Sequence, residues 1–305
     1  METRQDAALN AFTQRSLEEI SSKLYDTPYS AVRFAEILPV NTGYNPGAEA
    51  ITWRLITQFG QADFIRDYSK DFARVDVAAG DNSNVVKGIG DSYSYSIQEL
   101  RAAMLAGYSL SSAQAMAARD AIMRKIDSLA AVGESDYSIT GFLNDSNIGS
   151  STLTTGSVGN TWADKTGTEI LADLETMYND LKAAISDTGV DLRPNALVMP
   201  PSRGGYLKKR LPEVEMTVEN FWLSNYPEFR GNLHEWVHAS TAGAASATRS
   251  VMYRKDPALV EVAIPLPFTQ HAPEKRNLAF VVNCEARTAG AINRYPVAAT
   301  AMDGM

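Results

Sequence analysis

The architecture of this chain depends on SIQELRAAMLAGYSLSSAQAMAARDAIMRKIDSLAAV, residues 96–132. Its first four residues have the spacing of a helix capping box, and SSAQ from Ser111 forms a second box. Gly107 marks an end or a kink between the two halves, and Gly133 suits the C-terminal cap. At 1.5 Å per residue the stretch extends about 55 Å. Such a rod is longer than a compact domain of this size requires.

A two-stranded β-ribbon is predicted before this helix, over residues 49–77. Apolar and polar residues alternate from Ile51 to Leu55, which is typical of a strand. Two strands alone are only marginally stable in water, so the ribbon needs another surface to lie on. We consider that this surface belongs to another subunit. Beyond Gly60 the apolar residues of the predicted ribbon are Phe64, Ile65, Tyr68 and Phe72.

The rest of the chain mixes helices and strands. Residues 81–84 and 88–91 have turn composition and flank short extended pieces. A third capping box, at residues 166–169, begins an amphipathic helix. Because strands are predicted on both sides of the helices, we expect a piece near residue 80 to share a sheet with the C-terminal strands. The later predicted strands are residues 196–199, 233–239, 250–254, 259–264, 278–285 and 289–295.

The composition excludes several classes of protein. Of 305 residues, 45% are apolar and 21% are charged, as in ordinary globular chains. The net charge is −8, whereas tight, general DNA binding needs a basic excess. One cysteine, Cys284, excludes an internal disulfide framework and a thiolate metal cluster. Apolar runs are too short for a membrane helix and the first residues lack signal-peptide order, so we expect a cytoplasmic protein with no membrane partner.

The sharpest chemical motif is HEWVH at residues 234–238, which has the H-E-x-x-H pattern of zinc hydrolases. Those enzymes hold zinc between two histidines on one helix face, with the glutamate as base. Here Gly231 precedes the motif and TAGAA follows it, which leaves about two helical turns at most. No histidine or glutamate lies between the motif and Glu261. A polar strand edge is therefore preferred, and the remote alternative is a zinc metallohydrolase acting through His234, Glu235 and His238.

No other motif predicts chemistry. The chain has no nucleophile elbow and no phosphate-binding P-loop. Cys284 lies among apolar residues, which is typical of a core position. We therefore predict no catalytic, cofactor-binding or metal-binding residues, no cofactor, and no enzymatic activity.

The order of parts resembles the major capsid proteins of tailed double-stranded-DNA bacteriophages, from about Thr27 to Pro296. The run ELRAA, then Gly107, then AAR at residues 117–119, looks like the start of the spine helix of this family, and GFLN at residues 141–144 looks like the segment that leaves it. ALVMPP at residues 196–201 is similar to a segment of the axial domain. CEARTAGA at residues 284–291, with Tyr295-Pro296 after it, resembles the closing strand of the peripheral domain.

This resemblance implies the Johnson, or Hong Kong phage, capsid fold, which belongs to the α+β class. In that fold an N-terminal arm precedes a long extended loop, and a discontinuous peripheral domain holds the spine helix. The implied parts are an arm and linker at residues 1–47, the extended loop at 48–77, the peripheral domain at 78–138 and 251–305 with its spine helix at 96–132, and the axial domain at 139–250.

The resemblance also implies a structural function. Many copies would form hexamers and pentamers that close into an icosahedral shell around double-stranded DNA, without sequence-specific binding. Scaffolding, portal and decoration proteins are implied partners, and the virion capsid, assembled in the host cytoplasm, is the implied location. An encapsulin-like nanocompartment shell, which has the same fold, is the alternative. The aromatic side chains expected to contact other subunits are Trp53, Phe59, Phe64 and Tyr68.

Overall fold

The computed structural model describes residues 31–59, 76–106, 110–186, 193–212 and 214–305. The chain divides into residues 1–31 and residues 32–305. Every element named below belongs to the second of these units. It combines helices with mostly antiparallel sheets, as predicted for the α+β class.

Helices and strands occur in alternating short groups along the second unit. None of the helices in the described ranges is long and apolar enough to cross a lipid bilayer. The helices are α1 (Phe34–Ile37), α2 (Ile97–Ala106), α3 (Leu110–Ala131), α4 (Gly167–Ser186), α5 (Pro201–Gly204) and α6 (Val218–Asn225). The strands are β1 (Val40–Asn41), β2 (Ala50–Phe59), β3 (Asp76–Val85), β4 (Lys87–Ser96), β5 (Gly133–Glu134), β6 (Ile139–Thr140), β7 (Gly149–Ser151), β8 (Ala196–Met199), β9 (Leu233–Glu235), β10 (Arg249–Tyr253), β11 (Val260–Ala263), β12 (Leu266–Gln270), β13 (Glu274–Arg276), β14 (Ala279–Thr288), β15 (Gly290–Asn293) and β16 (Ala299–Asp303).

The predicted long helix is present as α2 and α3. The Ser96 amide donates to Glu99 Oε2 at 2.8 Å, and the Glu99 amide donates to Ser96 Oγ at 3.0 Å, so the first capping box is confirmed. α3 begins at Leu110, directly after residues that the structure does not describe, so the capping role of the second box stays a prediction. Gly107, the predicted end or kink, lies outside the described residues.

The C-terminal end of α3 is closed by the chain that follows it. Gly133 has a φ of +73°, the left-handed conformation expected of this cap. The carbonyls of Ala130 and Ala131 accept hydrogen bonds from the amides of Phe142 and Leu143, both at 2.8 Å. Because the last carbonyls of a helix lack intrahelical partners, these two bonds fix the returning chain against the helix end.

One sheet packs on the long helix. Its central strand is β14, with β4 on one side and β12 and β13 on the other. Every second residue in the middle of β14 lies in the core to which α3 also contributes: Val282, Cys284 and Ala286. β4 pairs with β14 over its full length, so the chain just before the helix shares a sheet with the C-terminal strands. The piece at residue 80 itself lies in β3, which pairs with β2 in a separate sheet.

Two predicted turns are wrong. Residues 81–84 lie inside β3, and residues 88–91 lie inside β4. Their Asn, Ser and Gly residues have low strand propensity, but pairing with β2 and β14 overrides it, since strand propensity depends on context. The returning strand of the ribbon is β3, and the predicted one, residues 64–72, lies outside the described residues.

A second, five-stranded sheet has the order β7–β16–β10–β8–β9, and all four residues of β8 are buried. The boundary predicted at residue 250 runs through β10, and β16 returns to this sheet from the C-terminus. Strands distant in sequence therefore complete it. The amphipathic α4, predicted from its capping box, buries Ile170, Leu174 and Met177 in the core beside this sheet.

A buried ion pair holds the start of α4. Lys165 Nζ lies 2.6 Å from Asp173 Oδ2, and neither side chain is exposed to solvent. Asp173 also accepts hydrogen bonds from Trp162 Nε1 at 2.9 Å and from the Thr154 hydroxyl at 2.6 Å. Since a buried charge is costly unless it is paired and hydrogen-bonded, this arrangement fixes the loop before α4 in one position.

We predict that Gly141→Ala destabilises the protein strongly. A Cβ atom at Gly141 would lie 2.2 Å from the Val132 carbonyl carbon, so the backbone would have to move away from the helix end. We expect the free energy of unfolding, measured by urea denaturation, to fall by at least about 2 kcal/mol. Gly88→Ala is the matched control, because no atom lies within 4 Å of a Cβ there. Equal losses in the two variants would contradict the prediction.

Candidate functional site

The ribbon predicted from the sequence consists of β2 and β3, which pair antiparallel over all ten residues of each strand. Alternation along Ile51 to Leu55 correctly located β2. Of the residues expected to contact other subunits, Trp53 is described in full. Only the backbone of Phe59 is described, and Phe64 and Tyr68 lie outside the described residues.

The root of the ribbon packs against its own subunit. Ile51 is 7% exposed and lies in an apolar cluster with residues of the C-terminal strands. Tyr44 and Trp53 pack against this cluster. The expectation that the ribbon needs a foreign surface is therefore wrong for its root, and contact of Trp53 with another subunit stays a prediction. The cluster consists of Ile51, Val86, Ala263, Ala289 and Ile292.

The opposite face of β2 stays in solvent. Thr52, Arg54 and Ile56 alternate with the inward-facing residues, and Ile56 is 58% exposed. Arg54 Nε lies 2.9 Å from Asp81 Oδ1 of β3, in an exposed ion pair of the kind that adds little stability. Beyond its root, the described part of the ribbon therefore carries an apolar side chain that its own subunit does not cover.

A cavity of about 510 Å³ lies between the ribbon root and the body. Two amide groups in its walls are hydrogen-bonded: Asn293 Nδ2 donates to Asp145 Oδ2 at 3.2 Å, and Asn84 Nδ2 donates to the Ala291 carbonyl at 3.2 Å. The described residues that line it include no histidine, cysteine or lysine.

The HEWVH segment begins as strand β9 and continues as a 3-10 turn, Val237–Ser240. The expected sheet edge is confirmed for His234 and Glu235, because β9 is the outermost strand of the five-stranded sheet. In the part of the chain that the structure describes, no three side chains of His, Cys, Asp or Glu converge as metal ligands. The zinc alternative is therefore not supported.

The two histidines of this segment have different surroundings. His238 Nε2 lies 3.0 Å from Asp127 Oδ2 on α3. His234 Nε2 is buried and has no hydrogen-bond partner. Burial lowers the pKa of His234, and the positive charge of Lys255 lowers it further. A neutral His234 imidazole avoids placing a charge in these surroundings.

Asp127, which sequence analysis missed, gathers four donors at one buried carboxylate. It is 4% exposed and accepts hydrogen bonds from Trp236 Nε1 at 3.1 Å, from His238 Nε2 at 3.0 Å, and from the amides of Arg33 at 3.1 Å and Phe34 at 2.8 Å. Burial alone raises the pKa of Asp127, but these hydrogen bonds outweigh burial and hold it below its ordinary value. Nothing in the sequence marks this residue, since a single Asp in a helix is typical of a solvated face.

Comparison with protein families matches residues 60–305 to the model described as major capsid protein. This match includes α2, α3, the sheet centred on β14 and the five-stranded sheet. It begins inside the segment that joins the two ribbon strands. A comparison with curated proteins finds no match.

Solved structures of similar fold come from capsids and related particles. The capsid of Myoviridae phage XM1 is 20% identical, covers 96% of this chain and 99% of its own, and has a TM-score of 0.81. Mycobacterium phage Adephagia is 14% identical over 99% and 97% of the two chains, with a TM-score of 0.64. A virus-like particle from Pyrococcus furiosus is 15% identical over 88% and 91%, with a TM-score of 0.57. The chain has the Hong Kong phage capsid fold that the sequence resemblance implied.

We predict that Asp127 makes the free energy of unfolding depend on pH in the acid range. Because its pKa is lower in the folded protein than in the unfolded chain, its contribution is complete above about pH 3.9 and is lost as the pH falls below that value. Urea denaturation of wild type and Asp127→Asn between pH 7 and pH 2 measures the difference. We expect the variant to be less stable by about 2–3 kcal/mol at pH 7, with the gap closing in acid. Parallel curves would contradict this assignment.

Proposed function

The chain belongs to the major capsid protein family, and on this premise we propose that its copies tile into the icosahedral head of a tailed bacteriophage around double-stranded DNA. The protein is structural, forms the shell of a virion and is not an enzyme.

The ribbon carries this proposal. Its root is anchored by Ile51 in its own subunit, while Ile56 remains 58% exposed on the other face. Covering an exposed isoleucine gains roughly 1.5–3 kcal/mol at most, which is weak for one contact. Repetition around a closed shell makes such contacts collectively durable, since every subunit both gives and receives one. Phe59, Phe64, Tyr68 and Trp53 stay the proposed contact residues.

We assign the parts of the chain to the roles that the resemblance implied. Residues 1–47 are the proposed arm and linker, and residues 48–77 are the proposed extended loop. Because β2 pairs with β3, which ends at Val85, we extend this loop to residue 85. The peripheral domain, predicted at 78–138 with 251–305, then begins after residue 85 and holds α3, and residues 139–250 form the proposed axial domain. Pairing of β16 with β10 supports moving residues 299–303 to the axial domain.

Partners follow from the same proposal. Hexamers and pentamers of this chain would form the shell, with separate scaffolding, portal and decoration proteins, and assembly would take place in the host cytoplasm. A net charge of −8 favours a wall that does not adhere strongly to packed DNA. The nanocompartment alternative is not favoured. The phage XM1 capsid has a higher TM-score, 0.81, than the Pyrococcus furiosus particle, 0.57.

Electron microscopy of the expressed full chain tests the proposal. We predict closed particles for the wild type and their loss in Ile56→Asp, because a carboxylate at this position would have to be desolvated in the contact between copies. Val158→Asp is the matched control: it places the same charge at an apolar residue that is 83% exposed and lies off the ribbon.

Circular dichroism and urea denaturation of the Ile56→Asp subunit should match the wild type, because Ile56 is exposed in the single subunit. A wild-type chain that stays a small monomer at high concentration would contradict the proposal. Particles of normal yield from Ile56→Asp would contradict the role of the ribbon.

A further inference from the structure

Residues 33–46 form a strap that leads from the start of the second unit to the root of the ribbon. Each end of the strap bonds to a buried carboxylate from a distant part of the chain. Asp127 of α3 is 4% exposed and Glu261 of β11 is 2% exposed. Neither carboxylate belongs to the proposed contact surface, and neither was marked by the sequence.

The first end is held by Asp127 Oδ1, which accepts the backbone amides of Arg33 and Phe34. α1 begins there, with Phe34 and Ile37 in the core. The Leu38 amide donates back to the Phe34 carbonyl at 2.7 Å. Two consecutive backbone donors on one carboxylate oxygen allow few directions for the chain, because both bonds need near-linear geometry.

The second end is held by Glu261. Its Oε2 accepts from Asn41 Nδ2 at 3.0 Å, and its Oε1 accepts from the Tyr44 hydroxyl and from an Arg294 guanidinium nitrogen at 2.6 Å. The Tyr44 ring packs against the apolar cluster that contains Ile51 at the ribbon root. Glu261 therefore acts on the ribbon through Tyr44.

Between its ends the strap is paired with the body. Val40 and Asn41 of β1 lie parallel to Val262 and Ala263 of β11. The Tyr253 hydroxyl donates to the Ile37 carbonyl at 2.5 Å. Since a buried carboxylate is costly without its donors, each end has one arrangement that satisfies all groups, and a shifted strap satisfies neither.

We propose that Asp127 and Glu261 are positioning residues for the two ends of the strap. Asp127 fixes the start of the strap at Arg33 and Phe34, and Glu261 fixes the base of the ribbon. Each acts on its own end. The inference concerns the single subunit and stands whether or not the chain closes into a shell.

Hydrogen exchange of the full-length chain, read by mass spectrometry, tests this division of roles. In Asp127→Asn we expect exchange of the amides of residues 33–38 to rise by about tenfold or more, with residues 50–56 unchanged. In Glu261→Gln we expect the converse: exchange becomes faster at residues 41–56 and is unchanged at residues 33–37. A residue that serves only general stability would not give this localised pattern.

Milder variants keep the test decisive if a carboxylate variant fails to fold. Tyr44→Phe keeps the ring and removes the hydroxyl that bonds to Glu261, so faster exchange at residues 50–56 alone supports the proposal. His238→Ala removes one donor from Asp127 at a partly exposed side chain, and should affect residues 33–38 alone. Uniform acceleration over the whole unit, or unchanged exchange at both ends, would overturn it. If the wild type forms no particles, the proposed shell function is contradicted, but the hydrogen-exchange comparison of the variants still tests the roles of Asp127 and Glu261.

Discussion

A two-stranded ribbon has two faces, and the body of this subunit covers one of them only at the root. Ile51 and Trp53 lie on the inward side with the C-terminal strands, and Ile56 faces solvent. This asymmetry connects the fold to shell formation. A firmly seated root gives the ribbon a defined direction, and the exposed Ile56 on the outer face is available for contact with another copy.

Buried carboxylates fix the direction of the chain segments that bond to them, which apolar packing alone does not. Asp127, Asp173 and Glu261 each lie in the core and each accept several hydrogen bonds. The donors to Asp127 and Glu261 come from segments far apart in sequence, and those to Asp173 come from the loop just before its helix. Apolar contacts tolerate small shifts, whereas these bonds require particular distances and angles. A subunit that must repeat the same geometry in many copies benefits from such constraints, since errors in direction accumulate around a closed shell.

Sequence analysis was most successful where the pattern is local. The capping box at Ser96, the cap at Gly133 and the alternation of β2 all depend on residues a few positions apart, and all are confirmed. It was wrong for residues 81–84 and 88–91, where turn-forming residues lie in strands. Residues 81–84 pair with β2, and residues 88–91 pair with β14, nearly 200 residues further along the chain.

The amino-acid sequence by itself determined the class of fold, the long helix, the existence of a ribbon and, through the order of these parts, the resemblance to capsid proteins. Only the tertiary structure decided which face of the ribbon root is covered, where the C-terminal strand β16 pairs, and which carboxylate His238 of HEWVH contacts. Helix caps and strand alternation are encoded within a few residues. Burial of a carboxylate, or of one face of Trp53, depends on groups that meet only after the chain has folded.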